Sequence, residues 1–271
     1  MANTLDPGTP KEKISKFPIF VLILMGLGLI GYCIVGGISL LNRDQPASTV
    51  DKIVPSATQQ VQEGEPPPLP SEAAQILISE SASQWAITLE ETFDSNQNDW
   101  IIGEGSTEEL DSNLEIRNGR YTWDVTSKNT ILASLAPASL PPVTDFYLSA
   151  DVKLTGGSYK PVYGVVFRDS PNGDGYFFGI YGENFIVDRR HGDTFERRIA
   201  YIKSPAISPQ ETNRLAVIAK GTHFVFLIND QFVGEMFDDS IHEGSVGFGV
   251  TFFHVDLQNS FEFDNFVLRT P

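Results

Sequence analysis

Two hydrophobic patterns divide the chain, and the more extensive one alternates with period two from about residue 86 to residue 271. It is clearest between Thr144 and Thr155, where apolar and polar side chains take turns. Such alternation predicts β-strands with one buried face. The pairs Asn118-Gly119 and Asn229-Asp230 separate such segments by two residues that tolerate positive φ, which predicts hairpins. About a dozen short strands without an amphipathic helix predict an all-β, two-sheet antiparallel sandwich.

The second pattern is an uncharged apolar run of 25 residues from Phe17 to Leu41. As a helix it would be about 37 Å long, enough to cross a hydrocarbon core of about 30 Å. Three lysines precede it, whereas one arginine beside an aspartate follows it. The positive-inside rule therefore predicts a cytoplasmic tail over residues 1–16, a single-pass helix in the cell membrane, and an extracytoplasmic remainder.

A cleaved signal peptide is the alternative to this anchor. Its apolar region would be shorter than this run, although Pro46-Ala47-Ser48 offers a conceivable cleavage site. The run also contains a GxGxxG pattern from Gly26 to Gly31. That pattern indicates a dinucleotide site only between a strand and a helix, so we do not expect a cofactor there.

Residues 42–85 are rich in Pro, Ser, Thr, Gln and Glu and poor in large apolar groups. Such a segment buries too little surface to offset its ordering entropy, which predicts a flexible stalk. The stretch from Ser71 to Leu77 resembles a capped helical turn, but it is too short to predict a helix. The expected organisation is thus tail, membrane helix, stalk and a sandwich over residues 86–271.

Charge and cysteine content exclude several functions. Acidic residues outnumber basic ones 35 to 19, for a net charge of −16. A nucleic acid would be repelled by this charge, so no nucleic-acid partner is expected. The single cysteine, Cys33, excludes an intramolecular disulfide and a cysteine-based zinc site.

Seven segments of the sandwich region share a pattern with known domains: Glu91 to Asp94 with Asp99-Trp100, Tyr163 to Arg168, Gly175 to Ile180, Asn213 to Val217, Phe226 to Gly234, Val246 to Gly249 and Phe263 to Val267. Together they resemble the concanavalin A-like lectin/glucanase jelly roll, close to laminin-G-like and keto-disaccharide-hydrolase-like bacterial surface modules. The resemblance covers nearly all of residues 86–271 and implies the fold more specifically than the function, since this fold hosts lectins, glycosidases and spacers.

The sequence lacks the full set of carboxyl residues that the related glycosidases use for catalysis. Glycoside hydrolysis uses two carboxyl groups across the scissile bond. In laminarinase-type glucanases an ExDxxE strand carries them, and the nearest match here has Val267 in place of the last glutamate. The strand that carries acids in keto-disaccharide-hydrolase-like relatives corresponds to Tyr176 to Tyr181, which has none. An enzyme is therefore not expected, although a glycosidase with atypical residues stays an alternative.

The outward face of one sheet is the expected ligand-binding surface. If Val165 and Phe167 face the core, alternation turns Arg168 outward, and the register of the related domains sets Phe177 and Tyr181 on the same face. Aromatic rings beside an arginine suit a sugar, because ring faces stack and the guanidinium binds hydroxyls or carboxylates. Core aromatics are common, so each ring has a purely structural alternative.

Trp123 and Arg190 complete the predicted ligand-binding residues. Trp123 has the same alternative as the other aromatics. Arg190 lies in the predicted hairpin Asn184 to Tyr201, which contains four arginines and three acids. These arginines could bind an anionic sugar or lipid head group, but a cross-strand ladder with the acids is favoured.

A structural Ca²⁺ ion is the cofactor that the sequence suggests. Asp94 follows the first strand and Asp264 lies in the last, and the end strands of this fold often pair. Members of the resembled family frequently bind calcium near there, with oxygen ligands, but an ordinary buried, hydrogen-bonded aspartate explains Asp264 equally well. The loop Asp169 to Gly175 departs from a calcium-binding loop, so a plain turn is expected.

The expected function is non-catalytic binding of an extracellular glycan or protein partner by a membrane-anchored module. A glycosidase-like enzyme is the first alternative. The second is a structural or accessory subunit whose membrane helix docks into a larger complex.

Overall fold

A computed structural model describes residues 68–157, 161–192 and 194–271. None of the helices in these ranges is long and apolar enough to cross a membrane. The predicted tail, the predicted membrane helix from Phe17 to Leu41 and the stalk up to residue 67 lie outside the described residues.

The described chain contains one α-helix followed by fifteen strands. In chain order they are α1 (Glu72–Ser83), β1 (Ala86–Glu91), β2 (Gly103–Ser106), β3 (Leu110–Arg117), β4 (Arg120–Ser127), β5 (Ile131–Leu135), β6 (Phe146–Gly157), β7 (Val162–Asp169), β8 (Gly175–Tyr181), β9 (Asn184–His191), β10 (Thr194–Lys203), β11 (Asn213–Lys220), β12 (His223–Ile228), β13 (Gln231–Phe237), β14 (Ser245–Phe252) and β15 (Leu257–Thr270).

The strands form two antiparallel sheets, which confirms the predicted sandwich. The nine-stranded sheet has the order β13-β12-β11-β6-β15-β4-β3-β2, and β1 pairs with the end of β15. The six-stranded sheet has the order β10-β9-β8-β7-β14-β5. Neighbouring strands in both sheets often come from distant parts of the chain, as expected for a jelly roll.

The core lies between the sheets, because most strands have one apolar face. In β6 the alternating residues Phe146, Leu148, Ala150 and Val152 are all fully buried, as the sequence predicts. Aromatic rings fill much of the space between the sheets. Phe248 of the six-stranded sheet stacks on Phe263 of the nine-stranded sheet with ring centroids 4.3 Å apart.

Both predicted hairpins are present. Asn118 and Gly119 connect β3 to β4 with φ values of 53° and 67°, and Asn229 and Asp230 connect β12 to β13 with 51° and 61°. All four lie in the left-handed region that two-residue turns require. The segment from Asp169 to Gly175 is a plain turn between β7 and β8, as expected.

The sequence predicts a flexible stalk over residues 42–85, and helix α1 corrects this prediction for residues 72–83. Ser71 caps the helix, and its Oγ accepts a hydrogen bond from the Ala74 backbone N–H at 3.1 Å. Ala74 and Leu77 pack on the outer face of the nine-stranded sheet, against Ile218 and neighbouring side chains. A helix this short is marginal alone, so burial against the sheet stabilises what the local sequence does not.

Candidate functional site

The outer face of the six-stranded sheet carries the predicted binding surface. In β7, β8 and β9, alternate residues face the inner core, and the residues between them face outward. The outward set forms its own apolar cluster, with Tyr181 and Phe253 packed against it. The buried members of this outer cluster are Leu132, Val162, Val166, Phe177 and Ile186.

A row of three glycines lies under this cluster. Gly164 pairs with Gly179 on one side and Gly249 on the other. The Phe177 ring occupies the space that the missing side chains of Gly179 and Gly249 leave. A Cβ at Gly179 would lie 2.9 Å from Phe177 Cζ, and one at Gly249 would lie 3.1 Å from Phe177 Cε2. Gly179 and Gly249 therefore let this ring lie close to the sheet, whereas a Cβ at Gly164 would meet the backbone of Phe178.

The accessible aromatic surface is at the β8–β10 end of the face. Tyr201 is 46% exposed, and its ring packs against the partly exposed ring of Tyr181 at a centroid distance of 5.4 Å. The guanidinium carbon of Arg197 lies 4.4 Å from the Tyr201 centroid. This is the geometry of a cation–π contact.

Asp188 completes this group. Arg197 donates hydrogen bonds to both carboxylate oxygens, with an Nη2–Oδ2 distance of 3.3 Å. Burial raises the pKa of Asp188, and the bonds from Arg197 oppose that shift. We call Tyr181, Tyr201, Arg197 and Asp188 the tyrosine patch. It combines an accessible tyrosine ring with a partly exposed guanidinium that is bonded to a buried carboxylate.

Arg190, a predicted ligand-binding residue on β9, is also paired within the chain. It donates to Asp169, which also accepts a hydrogen bond from Ser134 Oγ at 3.1 Å. The Arg190 side chain is only 11% exposed. Burial raises the pKa of Asp169 and the charge of Arg190 opposes the rise. Arg190 therefore holds strands together and presents little surface to a ligand.

The remaining arginines of the β9–β10 hairpin are also paired. Arg189 and Arg198 both contact Glu196 and Asp238, with an Arg198 Nε–Asp238 Oδ2 distance of 3.1 Å. The favoured prediction of a cross-strand ladder is thus confirmed for the acids that the structure describes.

The structure corrects the outward placement of Arg168. At this point β7 has one more residue than β14, since Val166 pairs with Gly247 and Asp169 with Ser245. This bulge, with Arg168 at a φ of 47°, breaks the alternation.

The Arg168 side chain consequently turns inward at the end of the sandwich and is 1% exposed. Its guanidinium donates to the carbonyl oxygens of Thr144, Ile241 and Gly221 at 2.9, 2.6 and 2.8 Å. It also lies 4.7 Å from the centroid of the Phe224 ring. These contacts give Arg168 a structural role.

Phe177 and Trp123 are buried as well. Phe177 does face outward as predicted, yet it is 1% exposed and offers no free ring face. Trp123 is also 1% exposed and packs edge-on against Phe263 inside the sandwich, with a centroid distance of 4.9 Å. Of the five predicted ligand-binding residues, Tyr181 alone belongs to the accessible patch.

The two predicted metal ligands come near each other. The charges of Asp151 and Asp94 add to the burial that raises the pKa of Asp264. Arg120 Nη1 lies 2.9 Å from Asp264 Oδ2 and supplies a positive charge at this place. Within the described ranges no group of three or more His, Cys, Asp or Glu residues is arranged to hold a metal ion. Calcium binding stays a prediction.

Sequence reasoning missed Tyr201, Arg197 and Asp188 as members of one patch. The available signal was the outward alternation of β9, which sets Asp188 on the same face as Ile186. The face on which Tyr201 lies could not be predicted from alternation, because β10 has two register shifts between Arg197 and Ile202.

Comparison with known proteins supports the fold. No family model and no curated protein matches the sequence. Among solved structures, a GlcNAcα1-4Gal-releasing endo-β-galactosidase from Clostridium perfringens matches with a TM-score of 0.52 and 11% identity over 70% of this chain and 64% of that one. A protein of unknown function with a galectin-like fold from Bacillus subtilis matches with a TM-score of 0.51 and 12% identity, over 68% and 96%. The described chain therefore has the jelly-roll fold of the concanavalin A-like lectins and glucanases.

Proposed function

We propose that the sandwich binds an extracytoplasmic glycan at the tyrosine patch without cleaving it. The observation that carries this proposal is the exposed Tyr201 ring, which is held against Tyr181 beside the Arg197–Asp188 pair. The apolar face of a sugar ring packs on such aromatic surfaces. The Arg197 side chain is 32% exposed and offers a donor to a neighbouring hydroxyl group, while the buried Asp188 carboxylate holds the guanidinium in place.

The charge balance of the patch favours a neutral glycan over a sulfated or uronic one. Arg197 is already bonded to Asp188, and the other arginines of the hairpin contact carboxylates too. An anionic sugar would have to displace one of these acids. The net charge of −16 opposes an anionic polymer further.

The proposal that the domain does not cleave the glycan rests on the same arginine–carboxylate pairs. Asp188 and Asp169 are the outward carboxylates of the described face whose pKa is raised, and each is bonded to an arginine. A general acid or base has to reach the glycosidic oxygen or a water molecule. A glycosidase is the alternative, since an endo-β-galactosidase shares the fold.

Glycan binding is tested with the full chain on a glycan array, with calcium and with chelator. Tyr201→Ala removes the exposed ring, and we expect at least a tenfold loss of affinity for any glycan that binds. Phe195→Ala is the matched control, because Phe195 is an equally exposed aromatic on β10 outside the patch. Equal loss in both variants, or no binding by the wild type, would contradict the proposal. Release of shorter sugars would favour the glycosidase.

We further propose that Phe17 to Leu41 anchors the chain in the cell membrane with the sandwich outside. The uncharged length and the lysines before it support this topology. Protease added to intact cells should then degrade the sandwich and spare residues 1–16. Co-purification of a stoichiometric membrane partner in mild detergent, together with a blank glycan array, would favour the accessory-subunit alternative.

A further inference from the structure

A cavity of about 160 Å³ lies between the sheets, far from the tyrosine patch in the strand order. Its walls come from β2, β3 and β4 at one end of the nine-stranded sheet and from β5 at the end of the six-stranded sheet. Both β2 and β5 are terminal strands of their sheets. The cavity therefore lies along the seam where the sandwich is open.

The sequence of β2 keeps this cavity from being filled. Its residues are Gly-Glu-Gly-Ser, and Gly103 and Gly105 both line the cavity. Alternate residues of a strand face the same side, so both inward positions of β2 lack a side chain. Across the seam, Ala133 is the smallest of the three inward residues of β5, between Ile131 and Leu135. Small residues thus stand on both sides of the space.

The lining determines what the cavity can accept. Apolar side chains form most of the wall, including Leu110, Leu114, Trp123, Val125, Ile131 and Leu135. Hydroxyl groups of serine and threonine lie among them, and none of the described residues that line the cavity is charged. An ion would lose its hydration there without a partner. An uncharged apolar molecule would lose little hydration free energy on entering the cavity.

We propose that this cavity binds a small uncharged apolar molecule, a single aromatic ring or a short hydrocarbon chain. Protein interiors are close-packed, and an apolar void of this size is unusual in them. An engineered apolar cavity of about 150 Å³ in another protein stays dry and accepts benzene, which sets the size of the ligand. This site is independent of glycan binding, because it shares no residue with the tyrosine patch.

The short strand β2 provides the entrance. It has four residues, three of them exposed, and it pairs with β3 alone. A strand with so few buried contacts opens locally at low free energy. Ligand exchange then requires no opening of the main core.

The test uses the full chain in lipid nanodiscs and bromobenzene as the probe, with empty nanodiscs subtracted. The heavy atom quenches tryptophan fluorescence, and Trp123 lies in the wall. We expect saturable quenching in the wild type. Ala133→Leu, which fills the cavity, should weaken it at least tenfold, whereas Ala86→Leu makes the same change at an exposed position and should leave it unchanged.

Absence of saturable quenching in the wild type would overturn the proposal, as would equal affinity in the wild type and Ala133→Leu. If Ala133→Leu does not fold, Val125→Ile narrows the same cavity by one methylene group and must weaken binding. Unchanged affinity in that variant would also overturn the proposal.

Discussion

Replacing Arg168 with methionine should destabilise the fold, because this arginine links three separate segments of backbone. It donates to the carbonyl oxygens of Thr144, Gly221 and Ile241. Methionine keeps most of the side-chain volume and removes every donor. The three carbonyl oxygens would then lose the donors that the guanidinium supplies.

The size of the effect follows from the surroundings of these acceptors. An unsatisfied acceptor costs about 1–3 kcal/mol when it is fully buried. Thr144 and Gly221 are exposed residues, so water can partly replace the guanidinium, and the low end applies. Three acceptors at about 1 kcal/mol each give a loss of about 3 kcal/mol in the free energy of unfolding. For a domain of this size that lowers Tm by about 6–12 °C.

Urea unfolding of the full chain, followed by circular dichroism, measures this loss. Arg117→Met is the control, since Arg117 is half exposed and its ion pairs with Glu115 and Asp124 are at the surface. The control should change stability by less than about 0.5 kcal/mol. A loss below 1 kcal/mol in Arg168→Met would refute the reasoning. Arg168→Met that stays folded should still bind glycan, because Arg168 is outside the tyrosine patch.

Three further predictions concern the helix, the glycine row and pH. Leu77→Ala should cost about 2–3 kcal/mol, because Leu77 is buried under α1, while exposed Ile76→Ala should change stability little in the same urea assay. Gly249→Ala should lower the free energy of unfolding by about 1–3 kcal/mol, because its Cβ would crowd the outer cluster. Gly234→Ala is the control, since a Cβ there meets only ordinary van der Waals contacts. Since burial raises the pKa of Asp188, its contribution to stability should fall as pH rises from 3.8 through the raised pKa. The stability of Asp188→Asn minus that of the wild type should therefore increase with pH in urea titrations, and a flat or falling difference would contradict this sign.

The architecture could be predicted from the sequence where local rules decide. Period-two alternation in β6 and the turn residues Asn118-Gly119 are local signals, and both gave the observed structure. The helical structure of α1 could not be predicted from its local sequence. Its stability depends on apolar side chains of β11 and β12 that are more than 100 residues away in the sequence.

The site was harder to predict, because alternation gives the face of a residue but not its exposure. Phe177 faces outward as expected, yet neighbouring apolar side chains and the glycine row enclose its ring. Arg168 departs from alternation because of a single bulge. Bulges and exposure both depend on which strand pairs with the segment, and the local sequence does not identify that strand.

The position of α1 has a consequence for how the proposed site could work. The helix packs on the outer face of the nine-stranded sheet, while the tyrosine patch lies on the outer face of the six-stranded sheet. The chain thus enters the described domain on the side opposite to the patch. A membrane anchor acting through this entry would leave the patch unobstructed, and a long glycan could cross it without meeting the tether. Leu77→Ala, which loosens α1, should accordingly weaken stability while leaving glycan affinity unchanged; a matching loss of glycan affinity in the folded variant would place α1 in the binding site.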